Sequence, residues 1–124
     1  MRCPCRKKSE STTYADCCEP YHVGRRRPPT AEALMRSRYA AFTLENAAYL
    51  SATWHVSTRP RVIEVTPGQE WVALRVIAAR TTGDKATVEF VARSRIGGET
   101  RALHEVSHFM RENGQWSYVD GLVT

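Results

Sequence analysis

Hydrophobic and polar positions change their period along the chain, and the change divides it into helices followed by strands. From Thr30 to Asn46 the apolar positions Ala33, Leu34, Ala41 and Phe42, with Met35, Tyr39 and Leu44, recur at helical spacing. Thr30 is a capping residue, and Glu32 stands in the first turn, where the positive end of a helix favours an acid. Asn46 ends this helix and caps a second, shorter one from Ala47 to Trp54. Between His55 and Gly68 the periodicity fades; Pro60 and Pro67 mark a loop with a short extended piece at Arg61 to Val65. Beyond it the pattern is that of strands: Trp71–Ala79, Lys85–Ser94, Glu99–Arg111 and Gln115–Asp120. Turn residues separate them at Thr81–Asp84, Gly97-Gly98 and Asn113-Gly114, the last being the strongest hairpin signal in the chain. Helices first and a meander of hairpins afterwards predict an α+β fold with the helices on one face of an antiparallel sheet.

Period two sorts the strand side chains into faces. In the third strand Arg101, Leu103, Glu105, Ser107, Phe109 and Arg111 share one face; Ala102, His104, Val106, His108 and Met110 share the other. In the last strand Trp116, Tyr118 and Asp120 are expected together. Both faces mix apolar and polar side chains, so the pattern does not decide which one meets the helices. His104 and His108 share a face but lie roughly 13 Å apart along a strand, too far for one metal ion.

Charge sharpens the division of the chain. The net charge of the 124 residues is +5, but residues 1–29 hold seven basic and three acidic side chains, so most of the excess is amino-terminal. Arg6, Lys7 and Lys8 form one basic cluster and Arg25, Arg26 and Arg27 another. Such clusters suit an acidic partner; without an aromatic ladder beside them, specific nucleic-acid recognition is not expected. Gly24, the three arginines, Pro28 and Pro29 make a stiff polar connector, and the expected organisation is a small module over 1–24 ahead of a domain over 25–124. No apolar run approaches the roughly 20 residues of a membrane span, and no apolar stretch follows the basic start as in a signal peptide. The expected compartment is therefore the cytoplasm.

All four cysteines fall in the first 18 residues, as Cys3-Pro4-Cys5 and Cys17-Cys18. A reducing compartment disfavours disulfides, and adjacent cysteines bridge only under strain. Two close pairs joined by a short loop supply the four soft ligands that Zn²⁺ takes in a tetrahedron. A segment with so small a core gains most from such a staple. His22, four residues after Cys18, is an alternative ligand, though a surface or core role suits it better. With four thiolates and one Zn²⁺ the net charge drops to about +3, which weakens the case for nucleic acid further.

Cys3-Pro4-Cys5 followed by Tyr14-Ala15-Asp16-Cys17-Cys18 resembles the SEC-C motif, a small zinc module, although Arg6-Lys7-Lys8-Ser9 stands where that motif usually opens with Gly-Ser-Gly. The blocks Cys17-Cys18-Glu19-Pro20-Tyr21-His22, Leu34-Met35-Arg36-Ser37-Arg38-Tyr39, Thr53-Trp54-His55 and Asn113-Gly114-Gln115-Trp116-Ser117-Tyr118 extend the likeness to the YchJ-like family over nearly the whole chain. The resemblance implies a cystatin-like, nuclear-transport-factor-2-like cone behind the zinc module. It also implies a protein or ribonucleoprotein partner, because the SEC-C module of the translocation motor SecA engages an acidic chaperone and ribosomes.

A cone of this kind often encloses a pocket. The polar candidates from the helices and the loop after them are Arg36, Arg38, Tyr39, Trp54 and His55; from the sheet they are Glu105, Ser107 and Tyr118. Glu105 is expected either to pair with Arg36 or Arg38 as a structural ion pair or to work with His55 as an acid–base pair. No phosphate loop, nucleophile elbow or zinc-protease motif is present. The preferred reading is a non-enzymatic zinc-binding adaptor; the alternative is a small-molecule binder or enzyme using the cone pocket. The sheet offers a surface for a homodimer.

Overall fold

The computed structural model describes residues 1–7 and 9–124, so Lys8 of the basic cluster lies outside the described residues. Among these, three helices, α1 (Glu19–His22), α2 (Ala31–Thr43) and α3 (Ala47–Ala52), precede four strands, β1 (Glu70–Thr82), β2 (Lys85–Ile96), β3 (Glu99–Glu112) and β4 (Gln115–Val123). Each strand pairs antiparallel with the next, in the order β1-β2-β3-β4. The strands run further than their apolar patterns do, because two-residue turns let pairing continue to the ends of each hairpin. Asn113 and Gly114 both take positive φ, 52° and 75°, the backbone a primed turn requires.

Both long-range helix signals correspond to real caps. The Thr30 side chain accepts from the Ala33 N–H at 3.0 Å, and Asn46 Oδ1 accepts from the Tyr49 N–H at 3.1 Å. Thr30→Ala leaves an orphan donor at the start of α2 and is expected to cost about 1 kcal/mol. Denaturant titration checks this; an unchanged midpoint would contradict the role of the cap. The sequence pattern does not predict the short α1: it follows Cys18 as N-cap, with Pro20 in its first turn, and is too brief to show a period. Conversely, Arg61–Val65 forms no strand; Ile63 and Val65 pack instead against Ala41, Tyr49 and Leu50.

The face question is settled by pairing. Phe90 lies opposite Glu105, Val88 opposite Ser107 and Ala86 opposite Phe109, and α2 lies against this side of the sheet. Glu105 and Ser107 therefore point inward, while on the outer face His104 pairs with Glu89 at 2.7 Å and His108 with Asp120 at 2.8 Å. The register of β4 slips at Val119, since His108 faces Asp120 but Phe109 faces Tyr118. This bulge turns Asp120 outward, away from Trp116 and Tyr118, against the simple alternation expected. The outer edge of β4 is covered by Thr53–His55: Tyr118 N–H donates to Thr53 O at 2.8 Å, and His55 N–H to Tyr118 O at 2.7 Å. Cys3, Cys5 and Cys18 share one buried cluster with Leu34, Tyr39 and Val88, so the amino-terminal segment packs on the same core as the sheet. No helix among the described residues is long and apolar enough to cross a membrane.

Candidate metal centre and the adjoining cavity

The first 18 residues fold back on themselves. Cys3 N–H donates to Thr12 O at 3.0 Å and Tyr14 N–H to Met1 O at 2.8 Å, while Arg6 N–H closes a turn on Cys3 O at 3.0 Å. Pro4 stiffens that turn, so Cys3 and Cys5 face the same way. Cys17 and Cys18 arrive on the turn into α1, with Cys17 N–H and Glu19 N–H both donating to Tyr14 O. The sulfurs converge: Cys3–Cys5 3.6 Å, Cys5–Cys17 3.5 Å, Cys5–Cys18 3.7 Å and Cys17–Cys18 3.9 Å. All four lie within 4.8 Å of one another.

These spacings discriminate between chemistries. A disulfide holds sulfurs about 2 Å apart, and all four cysteines are free. A Zn–S length near 2.3 Å in a tetrahedron places sulfurs about 3.8 Å apart, which is close to the spacing of these four pairs. The donor set is thiolate only, the preference of a soft or borderline ion. The thiols also oppose joint ionisation without a cation. Hydrogen bonds from Cys18 and Cys5 lower Cys3 to about 2, whereas hydrogen bonds with Cys3 and Cys5, then burial, hold the Cys18 thiol far above its ordinary value. A dication at the centre reverses that repulsion. Arg6 Nε donates to Cys17 Sγ at 3.4 Å, and that bond, ahead of other causes, raises the guanidinium above its usual range.

Arg36 and His22 tie this cluster to α2. Arg36 donates to Cys5 O at 3.0 Å from Nη1 and to Glu32 from Nε, so it serves the cysteine loop and does not reach the cavity expected to hold it. His22 is committed on both nitrogens, to Tyr14 Oη at 2.6 Å and to Ser37 O at 2.7 Å. A carbonyl can only accept, so Nε2 carries the proton and Nδ1 accepts from the tyrosine. That leaves His22 no lone pair for a metal, and it acts as a strut between α1 and α2. The basic side chains fall in two places: Lys7 is exposed after Cys5, and Arg25, Arg26 and Arg27 are exposed after α1, with Arg25 3.7 Å from Glu19. Arg6 is half-buried and also meets Glu10 at 3.5 Å.

Between α2 and the sheet lies a cavity of about 250 Å³. Of the sequence candidates, Arg38, Tyr39, Trp54, Glu105, Ser107 and Tyr118 line it. His55 does not: it bonds Ser57 Oγ at 2.7 Å and Glu112 on the outside, so it has no acid–base role with Glu105. Nor does Glu105 pair directly with an arginine; its Oε2 accepts from Ser107 Oγ. Gly121 makes room for that carboxylate, since a Cβ there would collide with Glu105 Oε2. Arg38 Nη1 donates to Leu50 O and Thr53 Oγ1, and its guanidinium carbon lies 4.4 Å from the Tyr118 ring centre and 5.2 Å from that of Trp54. Burial lowers Arg38 to about 10. The apolar wall of Met35, Phe42, Trp71, Phe90 and Phe109 was not singled out from the sequence. The stripe Met35, Arg38, Tyr39, Phe42, at three- and four-residue spacing on one helix face, was the signal for it.

Burial pushes Tyr39, Tyr49 and Tyr118 up to about 12 from an ordinary 10. The unfolded chain loses these phenolic protons first, so their contribution to stability is complete below pH 10 and is lost as pH climbs toward 12. The depressed Arg38 acts in the opposite sense over the same range, one group against three. Denaturant stability is therefore expected to fall steeply over that interval, with phenolate absorbance rising together with unfolding. Full phenolate absorbance in a still-folded protein would contradict it.

Comparison with known proteins agrees with this arrangement. The family described as YchJ, middle NTF2-like domain, matches residues 30–121. A UPF0225 protein from Methylibium petroleiphilum is 51% identical over 124 residues, spanning 98% of this chain and 88% of its own length. One from Streptomyces coelicolor is 45% identical over 125 residues, spanning 96% and 93%. The solution structure of a SEC-C motif containing protein from Rhodopseudomonas palustris is similar with a TM-score of 0.84 at 33% identity, over 94% of this chain and 95% of that one. The crystal structure of another, from Psychrobacter arcticus, gives 0.80 at 30% identity, over 98% and 82%. The chain belongs to the UPF0225 family, with an NTF2-like domain of the YchJ type and the clustered cysteines ahead of it.

Proposed function

We propose that Cys3, Cys5, Cys17 and Cys18 hold one structural zinc ion and that the protein is a non-enzymatic adaptor whose zinc module meets a protein or ribonucleoprotein partner. The convergence of four thiols at tetrahedral spacing carries the reading. Four protein ligands leave no open position, as in structural rather than catalytic zinc sites. Exposed Lys7, Arg25, Arg26 and Arg27 beside the module support an acidic partner. Elemental analysis of protein purified without added metal is expected to find about one equivalent of zinc. Less than half an equivalent, with four readily titrated thiols, would defeat the metal assignment. Capture from native lysate should retain a partner with the intact protein and lose it when Arg25, Arg26 and Arg27 are reversed in charge; equal capture by both would defeat the adaptor role.

A second reading is favoured by one observation, the cavity of about 250 Å³ bordered by Arg38 and Glu105. In it the cone domain binds a small molecule, independently of the metal. Saturable quenching of tryptophan fluorescence by a small ligand, retained when Arg25–Arg27 are altered, is the expected result.

A further inference from the structure

Two opposite charges border the cavity without neutralising each other. Arg38 is only 5% exposed and commits Nη1 to Leu50 O and Thr53 Oγ1. Its Nε and Nη2 have no protein partner among the described residues. Yet no buried side-chain nitrogen or oxygen is both sealed and unsatisfied, so these donors open onto the space Arg38 borders, which is the cavity. Nε–H and Nη2–H lie on one side of a guanidinium and form the fork that matches a carboxylate. Glu105 is held at Oε2 by Ser107 and keeps Oε1 without a protein partner. The two residues form no ion pair with each other among the described residues.

The far end is apolar. Trp71 meets Tyr39 edge-on at 5.9 Å and Phe42 at 6.4 Å, away from Glu105, whose own cross-strand neighbour is Phe90. The cavity is thus ionic toward β3 and β4 and aromatic toward β1. A monoanion placed there would leave Glu105 unanswered, and a monocation would leave Arg38 so; with Arg38 this deeply buried, each costs binding energy. A volume below the roughly 300–1,000 Å³ of drug-sized pockets admits one ring or a fused pair.

We infer that the cavity binds a small aromatic zwitterion of the phenylalanine or tryptophan type, with its carboxylate on the Arg38 fork, its ammonium on Glu105 and its ring toward Trp71, Tyr39 and Phe42. This rests on the second reading above and is independent of the metal. The test uses the full chain as purified and four probes: L-phenylalanine, phenethylamine, 3-phenylpropanoate and toluene. L-phenylalanine is expected to bind saturably by calorimetry and each singly charged analogue at least about tenfold more weakly, the worth of one charge-assisted hydrogen bond. Glu105→Gln, nearly isosteric, should reverse the order so that 3-phenylpropanoate binds better than L-phenylalanine. Ser107→Ala, which frees the carboxylate, should weaken L-phenylalanine alone. Toluene binding as well as L-phenylalanine, or an order unmoved by Glu105→Gln, would overturn the zwitterion and leave the cavity a ligand site. Failure of L-phenylalanine to bind would overturn the zwitterion; saturable quenching by a different small molecule would then keep the second reading, and its absence would overturn that too.

Discussion

Replacing Cys17 and Cys18 together by serine is expected to abolish metal binding and to release residues 1–24 from the core. Zinc held by thiolates is worth about 10–16 kcal/mol in small modules at neutral pH, far above what a short segment gains from packing. Here the segment contributes Cys3, Cys5 and Cys18 to the buried cluster, but few larger side chains. The backbone bonds Cys3–Thr12 and Tyr14–Met1 are short-range and insufficient alone to order the turn. The sheet, with its own buried Val88, Phe90 and Phe109, should persist. Limited proteolysis is expected to remove the amino terminus of the variant and to spare the rest, with near-native strand content by circular dichroism. A chelator acting on the unaltered protein should reproduce the pattern. Equal protease resistance of variant and parent would show that the cysteines do not staple this segment.

Arg38→Met is the second large effect, and its size follows from two opposing contributions. Loss of the bonds to Leu50 O and Thr53 Oγ1 removes about 1.5–3 kcal/mol each. Against this, burial lowers Arg38 from 12.5 to about 10, a penalty of about 3 kcal/mol that methionine does not carry. A net loss of about 1 kcal/mol remains, which lowers Tm by about 3–5 °C in a domain of this size. Arg38→Lys keeps the buried charge but cannot present a planar group between Tyr118 and Trp54. It is expected to be no more stable than Arg38→Met. A lysine variant at parental stability would mean that charge alone, not the guanidinium plane, is what the site uses.

Particular residues show what the sequence makes legible. The hairpins were readable because Asn113-Gly114 and Gly97-Gly98 are residues that accept positive φ, and a two-residue turn also sets the register. The cysteine constellation was readable because its spacing is local. Facing was not: β3 places Glu105 and Ser107 inside and Val106 outside, so hydrophobicity alone leaves the two sides undecided. Arg36 was grouped with Arg38, but residues two apart on a helix point to different sides, one to Cys5 and the other to the cavity. Trp54 and His55 are adjacent candidates from the sequence, but the parallel bridge between Trp54 and Tyr118 leaves His55 facing outward to Glu112. The bulge at Val119 leaves no local trace, since it arises from the pairing partner rather than from the residue.

That same bridge between Trp54 and Tyr118 has a consequence for synthesis. The two residues stand 64 positions apart, and the cavity wall is incomplete until the later one is made. At 5–20 residues per second the interval is about 3–13 s. Until then the apolar stripe of α2 lacks β4, while the cysteine cluster, already complete, rests on α2 and on as much of β1 to β3 as has emerged. A nascent chain whose cysteine segment folds early therefore presents one side of α2 already covered, and only the other to the cell's chaperones.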